Sequence, residues 1–185
     1  MQEAYASNLF AVCPRLFGLK LRPFSLGHSL ILDAIRSPLV TGAGASTDDL
    51  MLGVVLCSMS FADGCELVRS GKMPIRYKLA ALRCGLSRQA TQDAAYDALA
   101  EYLEGHSATP ERWETGEGKG GGTNNQWQFV LHGMIGRNLS TPAQAESLWD
   151  IPLGMAFCYA FARSELDGDS QVVSEDDAMV MGIAV

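Results

Sequence analysis

Five cysteines, three histidines and a few runs of carboxylates are the residues of this 185-residue chain with the chemistry to form a site. Cys13, Cys57, Cys65, Cys84 and Cys158 contain no Cys-x-x-Cys pair, and their number is odd. Several sit among apolar neighbours, where a free thiol behaves as a small hydrophobe, and the pattern points to a reducing, cytoplasmic setting rather than to a disulfide framework or a metal site. His28, His106 and His132 are scattered, and His28 falls on an apolar helix face, where a hydrogen-bonded core histidine is expected. Glu165, Asp167, Asp169 and Asp176 have part of the spacing of a calcium loop. Ser170 replaces the required glycine, however, and an aspartate ends the run where a bidentate glutamate is needed, so a capped turn is expected instead. Gly116-Glu-Gly-Lys-Gly-Gly-Gly122 lacks the Gly-Lys-Ser/Thr ending and the preceding apolar strand of a phosphate cradle. No serine or cysteine lies in a local nucleophile motif. The residues thus predict no catalytic group, no metal and no cofactor.

The elements around these residues are helical. Leu19–Leu39 organises the chain: Pro23 pushes Arg22 into an extended conformation, Ser25 is an N-cap, and Phe24, His28, Ile31 and Ile35 share one helix face. This helix is apolar nearly all round, which predicts burial on several sides, and Ser37-Pro38 ends it. Ser46 or Thr47 caps a second buried helix carrying Leu50, Val54, Cys57 and Phe61. Pro74 opens a third, with Ile75, Leu79, Leu82 and Leu86 as a stripe expected to face the core. Ser87 caps a fourth, running to about Glu104 and packing through Ala95, Leu99 and Tyr102. Further helices are expected over Asn124–Asn138, from Pro142 to Leu148 behind a Thr141 cap, over Leu153–Leu166 behind an Asp150 cap, and briefly after Ser174. Gln2–Phe17 is only weakly helical. The fold class predicted is all-α, an irregular bundle of about six to eight helices.

Charge divides the chain. Residues 1–92 carry ten Lys/Arg against six Asp/Glu, and residues 93–185 carry four against fifteen, within a total of −7. That total argues against a general nucleic-acid binder. From Arg69 to Arg88 there are six cations and no acid, expected to form a solvated rim beside the core-facing stripe. Asp93, Asp97, Glu101 and Glu104 form an acidic line, either solvated or facing the preceding basic helix. Residues 105–123, rich in glycine and charge, read as a flexible loop between an N-terminal region (1–104) and a C-terminal region (124–185) that pack as one domain. No signal peptide opens the chain, and its longest apolar run, Leu50–Ala62, is too short to span a bilayer.

Two islands carry a family resemblance. Leu21-Arg-Pro-Phe-Ser-Leu-Gly-His28 with its apolar helix and Ser37-Pro38-Leu39, and Trp149-Asp-Ile-Pro-Leu153 with the later Gly168-Asp169 and Val173-Ser174-Glu175 turn, resemble small helical proteins of tailed-phage tail gene clusters. Those proteins resemble tail assembly chaperones. The resemblance implies a non-catalytic, cytoplasmic partner for a long helical tape-measure protein, with self-association as a further possibility and no membrane or nucleic-acid role. The other classes in play are a structural virion component (a head–tail connector or minor tail protein) and a small cytosolic helical enzyme. A chaperone of this kind needs an exposed apolar helix face, and eight methionines would make such a face adaptable. The region Trp149–Val185 is the expected partner surface, with Trp149, Met155, Tyr159, Met179, Met181 and Ile183 as its contact residues.

Overall fold

A computed structural model describes residues 11–41, 44–107, 109, 112–114, 127–167 and 170–172. The fold is all-α. Among the described residues the helices are α1 (Leu26–Ala34), α2 (Pro38–Thr41), α3 (Thr47–Cys57), α4 (Phe61–Ser70), α5 (Ile75–Gly85), α6 (Gln89–Gly105), α7 (Trp127–Gly136), α8 (Pro142–Ser147) and α9 (Leu153–Leu166), with a 3₁₀ turn at Leu148–Asp150. Two short antiparallel ribbons accompany them: β1 (Arg15–Leu16) with β2 (Leu19–Lys20), and β3 (Arg112–Glu114) with β4 (Ser170–Val172). Two helices go beyond expectation: α2, a single turn that Pro38 both starts and separates from α1, and α4, because the helix expected to carry Leu50, Val54, Cys57 and Phe61 ends at Cys57 and Phe61 opens a new helix behind a Ser60 cap.

α1 forms the centre because its residues offer no polar side. Leu26 to Leu32 are all buried, against α2, α4, α7 and the 3₁₀ turn. Its start is a capping box in which a histidine takes the usual Glu/Gln place: the His28 amide donates to Ser25 Oγ (3.2 Å) and the Ser25 amide donates to His28 Nδ1 (3.1 Å). The other ring nitrogen, Nε2, donates to the Met59 carbonyl at 2.8 Å, so the imidazole is neutral with its proton on Nε2. The expected core histidine is therefore present. The two sequence islands meet at this cap: the Leu26 amide donates to Ile151 O (3.0 Å) and the Leu153 amide donates to Phe24 O (2.8 Å), forming an antiparallel bridge between the N- and C-terminal regions.

Burial, opposed by the Met59 carbonyl, holds the His28 pKa below its ordinary value of 6.5. The unfolded chain therefore binds the proton more readily, so the stability from a neutral His28 is complete above that value and is lost as pH falls below it. The unfolding midpoint in denaturant should drop between about pH 7.5 and about pH 5.5. His28→Gln, which restores an ordinary Ser-x-x-Gln box, should lessen that drop. His106, shifted in the same direction by burial, leaves a residual slope. An unchanged slope in the variant would remove His28 from the account.

Several local expectations are corrected. Arg15–Leu16 is not weak helix but the first arm of a hairpin, whose turn residues Phe17 (φ 49°) and Gly18 (φ 87°) both adopt the positive φ that a tight hairpin turn requires. Ser87 does not cap α6. Its hydroxyl turns back to the Cys84 carbonyl (2.6 Å), and Arg88 occupies the cap position without a side-chain bond. Asp150 does not cap α9. Its Oδ1 accepts from the Phe61 amide (3.0 Å), so it serves the first turn of α4 instead. Within the predicted flexible loop, Arg112–Glu114 pairs with Ser170–Val172 as a strand. The glycine-rich run, half of the calcium-like loop and the helix expected after Ser174 lie outside the described residues. Ser25, Ser46 and Thr141 cap as expected, each in a capping box.

Candidate partner-binding face

α5 is set by its two ends. Gly71, in the left-handed conformation (φ 64°), ends α4, and Pro74 with extended backbone starts α5. The helix then turns Tyr77, Ala80 and Cys84 inward, all buried, against α3. Its aliphatic stripe faces the other way: Ile75 is 72 % exposed, Leu79 48 %, Leu82 57 % and Leu86, at the C-cap, 78 %. The expectation that this stripe faces the core is reversed. Small side chains at 80 and 84 allow close approach to α3, and Tyr77 is the one large residue that anchors the inner face, with Arg76 lying 4.4 Å over its ring.

Cations border the stripe. Arg76, Lys78 and Arg83 are exposed beside it. Of the six cations from Arg69 to Arg88, only Arg69 forms an ion pair within the described residues, with Glu66. The acidic line of α6 is exposed as well, and no ion pair within the described residues joins it to α5. The solvated-face expectation for Asp93, Asp97, Glu101 and Glu104 holds, while the pairing with the basic helix does not form.

Of the C-terminal residues expected to meet a partner, the three described ones differ in exposure. Trp149 is interior, 6 % exposed, with its ring stacked on His132 (4.1 Å, 12°) and near Phe61 (5.1 Å) and Phe129 (5.5 Å, edge-on). His132 is held there by donating from Nε2 to the Ala145 carbonyl at 2.8 Å. Met155 is half-buried. Tyr159 is exposed and lines an apolar groove of about 610 Å³ between α7 and α9, with Met134, Ile135, Leu139 and Leu166. Met179, Met181 and Ile183 lie outside the described residues.

One pair was invisible in the sequence because its members are 93 residues apart: Cys13 Sγ lies 3.7 Å from His106 Nε2. His106 Nδ1 donates to the Tyr102 carbonyl (2.8 Å), which leaves Nε2 as an acceptor for the thiol. Burial raises the Cys13 pKa, partly opposed by Lys20, and lowers that of His106, so the pair rests as neutral thiol and neutral imidazole. That state lacks the thiolate of an activated nucleophile. Cys57 is fully buried, and burial pushes its thiol up to about 12. Among the described residues no group of three or more His, Cys, Asp or Glu is placed to hold a metal ion, and no helix is long and apolar enough to cross a membrane. No protein-family model, curated protein or solved structure matches the chain.

Proposed function

We propose that this protein is a non-catalytic assembly chaperone, similar in role to tailed-phage tail assembly chaperones, that holds a long helical partner of the tape-measure kind in the host cytoplasm. The observation that carries the reading is the outward stripe Ile75, Leu79, Leu82 and Leu86. Burying one such side chain contributes about 1.5–3 kcal/mol, so a fold that leaves four of them in water on one helix presents a surface suited to being covered. Four in a row along α5 match the apolar ridge of a partner helix lying alongside. The α7–α9 groove around Tyr159 is a second candidate face for the same partner, and Met179, Met181 and Ile183 are contact candidates on sequence grounds alone.

Co-expression with the tape-measure protein tests this. The double variant Leu79→Asp/Leu82→Asp should keep its circular dichroism spectrum and change stability by no more than about 0.5 kcal/mol per site, as exposed positions do, yet lose co-purification. Tyr159→Asp and Met181→Asp are the comparison. If those two abolish co-purification while the α5 variant retains it, the partner surface is the C-terminal one. Purified particles separate the virion alternative, because a chaperone is absent from finished tails and a connector or minor tail protein stays in them.

A further inference from the structure

We infer that the exposed face of α5 is one half of a two-helix seam, and that its other half is an amphipathic helix with acidic flanks. This rests on the reading of α5 as the partner face and names the chemistry of the partner. The spacing of Ile75, Leu79, Leu82 and Leu86 is four, three and four, the repeat of the apolar positions in a coiled-coil seam. At 3.6 residues per turn the four fall within about 60° of arc, narrower than the face a helix buries in a globular core or a bilayer surface. The flanking positions of that repeat are Arg76 and Arg83 on one side and Lys78 and Gly85 on the other. Every charged flank is therefore a cation. None of the three is ion-paired within the described residues.

Flank charge decides the partner in such seams. Two copies of α5 laid together in either direction bring cation against cation, so the face rejects itself. A helix with leucines along its ridge and glutamates beside it meets both the apolar stripe and the three cations. The acidic line of α6 on a second copy does not qualify, because Asp93, Asp97, Glu101 and Glu104 are not beside an exposed aliphatic stripe. Phosphate-rich nucleic acid would pair with the cations and leave the leucines in water.

Two synthetic peptides of about three heptads provide the test, identical in their leucine seam and carrying glutamate or lysine at the flanks. Their binding to the full chain is read by fluorescence anisotropy at about 50 mM and about 500 mM salt. The glutamate peptide should bind at least about tenfold more tightly at low salt, and the preference should shrink at high salt. Lys78→Glu/Arg83→Glu should reverse the preference. Equal binding of both peptides, abolished by Leu82→Asp, would overturn the acidic-flank inference and leave α5 as a helix-binding face. Failure of both peptides would overturn the inference and the α5 reading together. Co-sedimentation with phosphatidylserine vesicles in the absence of peptide binding would overturn both in favour of a lipid surface.

Discussion

Trp149→Ala should lower the melting temperature by roughly 6–20 °C, since removing a buried Trp costs about 3–5 kcal/mol and each kcal/mol moves a domain of this size by about 2–4 °C. The position justifies the large figure. The indole is in ring contact with His132, Phe61 and Phe129, which come from α7, α4 and α7 again, and its backbone lies in the turn that contacts α1. Its loss would open a cavity where three elements converge, and rigid neighbours close such a space only in part. Trp149→Phe keeps one ring and should recover more than half of the loss. Thermal denaturation followed at 222 nm reads both variants. A shift of less than about 3 °C for the alanine variant would mean that Trp149 is not the core residue described, and would restore it as a candidate for partner contact.

Gly27→Ala should destabilise the protein by about 1–3 kcal/mol, the usual cost of overpacking. The sign makes this test sharp. On helix propensity alone, alanine in α1 would be favoured over glycine by about 1 kcal/mol. The surroundings oppose it: a Cβ at position 27 would lie 2.7 Å from the Trp149 carbonyl oxygen and 2.6 Å from Phe61 Cγ, with Cδ2 of the same ring nearer still. Phe61 is itself stacked on Trp149, and the carbonyl belongs to backbone, so neither can give way cheaply. The urea midpoint should fall for Gly27→Ala and rise slightly for Gly85→Ala, where the helix preference acts unopposed because a Cβ meets nothing within 4 Å. A rise at position 27 would show that the contact of α1 with the Trp149 turn is looser than described.

What the sequence determined by itself is mostly local. The helix starts at Ser25, Ser46 and Thr141 follow from side chains that bond amides three residues away, and such caps form wherever the chain folds. α1 and α3 are apolar on nearly every side, so their burial follows without knowing their neighbours. The inward side of α6, Ala95, Leu99 and Tyr102, is legible for the same reason: one side is apolar and the other acidic.

The tertiary structure decided the rest, wherever two local options were close in energy. α5 has an aliphatic side and a Tyr-Ala-Cys side, and either could be buried in isolation. The close approach to α3 selects the side with small residues and leaves the leucines outside. Asp150 could cap the helix that follows it, but the Phe61 amide of a distant helix takes its carboxylate. Cys13 meets His106, and Phe24–Leu26 bridges to Ile151–Leu153, only in the folded chain, and no periodic pattern encodes contacts across such separations. The face that carries the proposed function belongs to this second group. Its residues and spacing are plain in the sequence, but whether they face water or protein depended on which neighbour could come closest.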